Sequence, residues 1–339
     1  MSSMEVNSTI SNGSSDVTDP QIPVFQPDLT FLIFQFYIPI VIGITGIIGN
    51  GLVCFVFLFK RKVFNSLTNN LILNQSVIDF ASSVIFLLQR FAPRPGPSAP
   101  PLWQDMVCRV WGTEFFLWSF NNASTGNLIL ISMERYFAVC YPITHRNVFT
   151  KKRAIYICVI IYILGFVEML YAPFYSNKYY GCYTVWENWK VQMAIGMYHF
   201  FFTYLLPLSS MIYCYANIWR SLKNRDKGRE EGGGGAQFGK AKKNVTITLI
   251  LVAVAFVVCW TPASVSYWLY NLRVPYDITS DMHAVFLTMV LINMCVNPFI
   301  YGWKYQPFRR QVKHIFCRFN RVGDMTSSQG NSYDTDSTT

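Results

Sequence analysis

The chain has 339 residues, 52% of them hydrophobic and 17% aromatic, and only 14% charged, where a soluble domain carries about 25%. A mean hydropathy of +0.27 excludes a disordered chain and argues against a soluble enzyme, and nine cysteines are too few and scattered for a disulfide-built scaffold. The net charge of +10 fits nucleic-acid binding or the basic loops of a membrane protein, and the position of the charges decides between them.

Residues 1–28 are polar and show no leader pattern; Asn7-Ser-Thr and Asn12-Gly-Ser are glycosylation acceptors there. Leu29–Phe59 is free of Asp, Glu, Lys and Arg, which is ample to cross a hydrocarbon layer of about 30 Å. Val63–Gln89 follows with one acid, Asp79, and then a proline-rich stretch, Phe91–Trp103, read as a stiff loop. Phe115–Met133 is the third apolar stretch, Ala154–Phe174 the fourth with the single acid Glu168, and Val191–Trp219 the fifth. Glu231–Ala236 reads as a flexible linker, after which Asn244–Leu272 and Met282–Trp303 complete seven spans. Trp303–Phe319 is amphipathic, with Phe308, Val312, Ile315 and Phe316 opposite basic residues; it is expected on the membrane surface, and its Cys317 is a candidate palmitoylation site. The Ser-, Thr- and Asp-rich remainder, 320–339, is expected to be disordered.

An odd number of spans separates the termini. Most of the 28 basic residues lie in the loops that share a side with the C-terminus, so the C-terminus is expected in the cytoplasm and the N-terminus outside, and nucleic-acid binding loses its support. Cys108 and Cys182 are the two cysteines on the outer side and are expected to pair in an oxidising compartment. Ionisable groups in hydrocarbon are costly. Asp79 with Asn50, Ser124, Asn293 and Asn297 fits either a site for sodium or a proton, or a hydrogen-bonded network between helices. Pro207, Pro262 and Pro298 each remove a backbone hydrogen bond inside a span.

In order along the chain stand Gly49-Asn50, Leu73-Asn74 through Asp79, Glu134-Arg135-Tyr136, Pro142, Pro207 with Tyr215, Phe256 with Cys259-Trp260-Thr261-Pro262, and Asn297-Pro298-Phe299-Ile300-Tyr301. This series resembles the rhodopsin-like (class A) G protein-coupled receptors, from about Asn50 to Phe319. The resemblance implies an all-α membrane protein: an extracellular glycosylated tail (1–28), a seven-transmembrane helix bundle (29–303), a surface amphipathic helix (304–319) and a cytoplasmic tail (320–339), at the plasma membrane. It implies that Glu134 restrains Arg135, that Pro207, Phe256, Trp260 and Pro262 form a connector beneath the ligand, and that Tyr136, Tyr215, Asn297, Pro298 and Tyr301 serve the cytoplasmic switch. It also places Asp79, Ser124, Asn293 and Asn297 at a sodium pocket, with Met294 where a small polar residue is usual. The implied partners are an extracellular ligand, a heterotrimeric G protein, membrane lipid, and, through the Ser/Thr-rich tail, a receptor kinase and arrestin.

Three departures from the pattern stand out. Cys108 lies two residues further from Arg135 than is usual, so the top of the third helix must bulge or start higher; Tyr162 stands in place of a tryptophan; and Lys242 stands near where some receptors carry an acid that pairs with the arginine of the Glu134-Arg135-Tyr136 motif. Leu291 and Leu117 stand where opsins have a lysine and amine receptors an aspartate. Retinal is thereby excluded and a monoamine disfavoured. Glu114, Trp118, Tyr204, Tyr267 and Tyr270 are the candidate ligand contacts, a set suited to a peptide with a basic or aromatic end. The alternative of a transporter or channel calls for repeated halves or a line of acids, and an intramembrane enzyme calls for a catalytic motif such as H-E-x-x-H; the sequence carries none of these.

Overall fold

The computed structural model describes residues 33–92, 98–177, 183–184, 186, 188–227, 236–277 and 280–315. Seven long helices dominate them: α1 (Ile38–Phe59), α2 (Leu67–Phe91), α3 (Phe115–Cys140), α4 (Lys151–Glu168), α5 (Leu206–Lys227), α6 (Ala236–Asn271) and α7 (Asp281–Lys304). A π-helical turn, Ile33–Tyr37, leads into α1, and α5 is continued upstream by a helix, Trp189–His199, and a π-helical stretch, Phe200–Leu205. Polar caps mark several starts: Ser66, Thr150 and Ser280 accept from the backbone N–H three residues on, satisfying one of the orphan donors at each helix end.

Six of the spans are both long and apolar enough to cross a bilayer. The exception is α3, which has the length but carries Asn121, Asn122, Ser124, Thr125 and Asn127. Its position explains this, because α3 packs against α2, α4, α5 and α6 and so meets protein where the others meet lipid. α4 is the opposite case: only Ala154 and Gly165 are buried on it, and Ile155, Ile160, Ile163, Leu164 and Val167 face outward. Its approach to α3 is close. A Cβ on Gly165 would stand 2.8 Å from the carbonyl oxygen of Ser119 and 2.9 Å from the Ala123 nitrogen, a backbone clash that no side-chain rotation relieves. Elsewhere α1 pairs with α2 and α7, and α6 with α7.

The bulge expected above the third span is present. Val107–Gly112 is a π-helical stretch, and Glu114 takes a left-handed conformation (φ 55°, ψ 31°) just before α3 begins. The stiff loop expected over Phe91–Trp103 is only partly such: α2 runs through Phe91, and Pro101 opens a short helix, Pro101–Met106, as proline's fixed φ favours at a first turn. The linker expected over Glu231–Ala236 is likewise shorter at its end, since α6 begins at Ala236. The bundle is all-α but for two short antiparallel strands, β1 (Ser176–Asn177) and β2 (Tyr183–Thr184), paired Ser176 to Thr184; strands of two residues leave no periodicity to read in a sequence.

Beyond α7 the chain breaks at Tyr305 and residues 306–315 are helical. Phe308 and Ile315 are buried while Arg309, Arg310 and Lys313 are exposed. Phe308 and Tyr305 lie against Phe57 at the end of α1, which stacks on Phe64 at 4.1 Å. The Tyr305 hydroxyl donates to Asn69 Oδ1 at 2.5 Å, and burial pushes its phenol up to about 12, so it stays a donor. Cys317, the tail 320–339, Asn7 and Asn12 lie outside the described residues, as does Cys182; Cys108 is disulfide-bonded.

Candidate functional site

Among the described residues, three of the polar clusters that interrupt the apolar bundle hold residues expected to be functional. The first lies at the end of α3 nearest the α3–α4 loop. Arg135 Nε and one terminal nitrogen donate to the two oxygens of Glu134, both at 2.6 Å. Adjacent residues on a helix point about 100° apart, so the pair forms only because Arg135 turns back along the helix to meet a carboxylate that has no exposure. Two further groups hold Glu134: Thr68 Oγ1 of α2, at 3.1 and 3.3 Å, and His145 Nε2 of the short helix Pro142–Val148, at 2.9 Å. Neither was legible in the sequence, since both reach Glu134 from elements distant along the chain. Nearby, Ser132 donates to the Tyr215 hydroxyl at 3.1 Å, joining α3 to α5, and the Tyr136 ring lies against Tyr141 and Tyr213. Tyr301 on α7 is wholly buried, and its hydroxyl has no hydrogen-bond partner.

The second cluster is at mid-depth. Asp79 on α2 accepts from Ser124 of α3 (3.0 Å), from Asn297 of α7 (2.9 Å) and from the Gln75 amide one turn earlier (3.2 and 3.3 Å). Asn50 of α1 completes the ring, donating to the carbonyls of Gly46 (3.0 Å) and Met294 (2.7 Å). Four helices are thus joined through side-chain hydrogen bonds. Asn293 is buried but makes none of the bonds to Asp79. Gln75, which is not among the residues expected from the sequence, donates to both Asp79 and Ser124. The donor set does not fit a sodium ion: both carboxylate oxygens already face N–H and O–H hydrogens, whereas a hard cation needs oxygen lone pairs turned toward it. The four residues expected to form a connector lie on α5 and α6. Phe256 and Trp260 stack at 5.5 Å on α6, both buried, and the indole N–H of Trp260 has no partner. Pro207 is buried on α5, and the Tyr204 hydroxyl lies 2.7 Å from Thr261 Oγ1, one residue before Pro262.

The third cluster is at the end of the bundle away from the α3–α4 loop, where α4, the helix Trp189–His199 and α6 meet. Glu168 and His199 face each other at 4.0 Å; Glu168 Oε1 and His199 Nδ1 are both buried and neither has a hydrogen-bond partner among the described residues. Around them stand Tyr171 and Tyr267, whose hydroxyls are 3.3 Å apart and whose rings lie edge-on to His199 at 6.4 and 5.4 Å. Trp186 stacks on Tyr171 at 6.3 Å. Of the five ligand contacts expected from the sequence, the structure brings Tyr267 alone into this group. Tyr204 sits deeper with Thr261, and Glu114 pairs with Trp118 beside Arg90 at the head of α3. Glu168 is not among the contacts expected from the sequence, although an acid in an apolar span was a signal that could have found it.

The model of the family described as the seven-transmembrane receptor (rhodopsin family) matches residues 49–301. The chain belongs to that family. The rhodopsin-family receptors are receptors rather than enzymes, and this one is a multi-pass membrane protein of seven helices. It is similar to the allatostatin-A receptor of Bombyx mori, 28% identical over 292 residues that cover 81% of this chain and 78% of the relative. It is also similar to galanin receptor 2b of Danio rerio, 29% identical over 299 residues (83% and 75%), and to the tachykinin-like peptides receptor 86C of Drosophila melanogaster, 24% identical over 291 residues (80% and 56%).

Proposed function

We propose that this receptor binds an extracellular peptide bearing a cationic group at the outer cluster and, on binding, promotes nucleotide exchange on a heterotrimeric G protein. The observation that carries the ligand class is Glu168. One of its carboxylate oxygens, Oε1, is buried with no hydrogen-bond partner among the described residues and is walled by tyrosine and histidine rings, and an ammonium or guanidinium there gains both the charge pair and the ring faces. Relatives named for allatostatin-A, galanin and tachykinin-like peptides support a peptide over other ligands.

The mechanism follows from the three clusters. A peptide drawn onto Glu168 and Tyr267 moves the outer end of α6, the helix bends at Pro262, where it lacks a backbone hydrogen bond, and Trp260 and Phe256 carry the movement on toward the far end. As the far end of α6 opens, Arg135 leaves Glu134 and reaches the G protein, with Tyr215 and Tyr301 closing on the space it vacates. The basic loops set the orientation, C-terminus in the cytoplasm. A near-complete switch requires about 5.5 kcal/mol of preference for the open state.

The test is a panel of basic, amidated and aromatic-ended peptides applied to cells expressing the receptor, read by nucleotide exchange on G protein. At least one basic peptide is expected to activate, and Glu168→Gln to weaken its potency about tenfold, or 1.4 kcal/mol. Unchanged potency in that variant would remove the assignment of the cation site.

A further inference from the structure

We infer that the side-chain amide of Gln75 takes the place of a cation in the polar core, so that the receptor's core is built to be independent of sodium. Gln75 and Asp79 are one helical turn apart on α2 and so share a face. Gln75 has no solvent exposure. Its Nε2 is 3.2 Å from one carboxylate oxygen of Asp79 and 3.3 Å from the other, and it also donates to Ser124 Oγ. A single –NH2 group therefore stands against three of the oxygens with which a small cation would be coordinated.

The orientation of that amide is fixed by the groups behind it. Gln75 Oε1 accepts from Asn127 Nδ2 at 2.8 Å, and the same nitrogen donates to the carbonyl of Leu71 at 3.1 Å. Asn127 Oδ1 in turn accepts from Asn74 Nδ2 at 3.0 Å, and Asn74 Oδ1 from the Tyr162 hydroxyl at 3.2 Å. Turning the Gln75 amide over would set Oε1 against the Asp79 carboxylate and –NH2 against –NH2 of Asn127, two repulsive contacts in place of two hydrogen bonds. The relay from Tyr162 through Asn74 and Asn127 therefore aims positive hydrogens at Asp79.

The remaining contacts agree. Asn297 Nδ2 presents N–H to the second carboxylate oxygen at 2.9 Å, and the Ser124 hydroxyl spends its hydrogen on the first at 3.0 Å. Asp79 is thus neutralised in its interactions by three donors without a counter-charge, the arrangement that lets a carboxylate sit in a low-dielectric core when its hydrogen bonds are complete. Replacing Gln75 by alanine withdraws the –NH2 and leaves the Asp79 oxygens, the Ser124 hydroxyl and Asn297 Oδ1, a buried acceptor with no hydrogen-bond partner, as a set of oxygens suited to a hard cation.

The experiment needs no ligand. The full-length receptor is purified and its melting temperature compared in sodium chloride and in choline chloride at equal ionic strength. Wild type is expected to melt at the same temperature in both. Gln75→Ala is expected to melt lower in choline and to recover by several degrees in sodium, and adding Asp79→Asn is expected to abolish that recovery. Gln75→Ser, which keeps a small polar group, serves if the alanine variant is not recovered. Wild type stabilised by sodium in an Asp79-dependent way would overturn the inference, and so would either Gln75 variant being indifferent to sodium.

Discussion

Asp79 and Glu134 are both carboxylates shut away from solvent, at 1% and 0% exposure, yet the bundle treats them differently. Glu134 meets a guanidinium at 2.6 Å through two bonds, with His145 and Thr68 behind it. Asp79 meets only neutral donors, from Gln75, Ser124 and Asn297. The difference bears on what each can do. Arg135 retains 15% of its side-chain exposure and can leave for another partner, so its pair is built to open. The donors on Asp79 come from α2, α3 and α7, so the carboxylate ties three helices together and does not hold one partner that can swing away. In the function proposed above one acid serves as a latch and the other as a rivet, and buried charge alone does not distinguish them.

The sharpest way to break this comparison is to remove the mobile partner. Arg135→Ala leaves Glu134 buried beside Thr68 and His145, and taking one member from a buried pair costs about 3–5 kcal/mol. A lower melting temperature is expected together with complete loss of peptide-driven nucleotide exchange at normal surface expression. If exchange persists in a protein that has merely become less stable, Glu134 and Arg135 are a rivet as well.

Removing the fixed acid should act mainly on stability. Asp79→Ala orphans donors on Gln75, Ser124 and Asn297, at about 1 kcal/mol or more each, for a total of about 3 kcal/mol. Asp79→Asn keeps one acceptor oxygen and should lose about half as much. Thermal melting in detergent reads the difference. Basal nucleotide exchange should move little in either variant; a large rise in exchange with a small change in melting would make Asp79 the switch.

What could be read in advance follows the range of the interactions. The seven spans are set by local composition and chain charge, and the motif residues from Asn50 to Tyr301 are set by spacing, so both were legible. The grip of Thr68 and His145 on Glu134 was not, because it joins positions 66 and 11 residues apart through a side-chain geometry that no local pattern encodes. Gln75 was hidden for another reason: a neutral amide in an apolar helix raises no alarm where an acid does. The same bias lifted Asp79 into view and left one of its three partners unremarked. α3 shows the limit of hydropathy itself, since a helix ringed by other helices answers to their polar groups and not to lipid.

The smallest effect tests how far the rivet extends. Tyr162 donates to Asn74 at 3.2 Å, four links from Asp79 through Asn127 and Gln75. Tyr162→Phe removes one neutral hydrogen bond, about 1 kcal/mol, and a drop in melting temperature of a few degrees at most is expected. A double variant with Asp79→Ala should then melt lower by nearly the sum, since the side chains do not touch. Should the double variant instead melt no lower than Asp79→Ala alone, the whole line from α4 to α7 stands or falls as one unit, and the boundary between latch and rivet would have to be redrawn to place α4 inside the core that its exposed face makes it seem to leave.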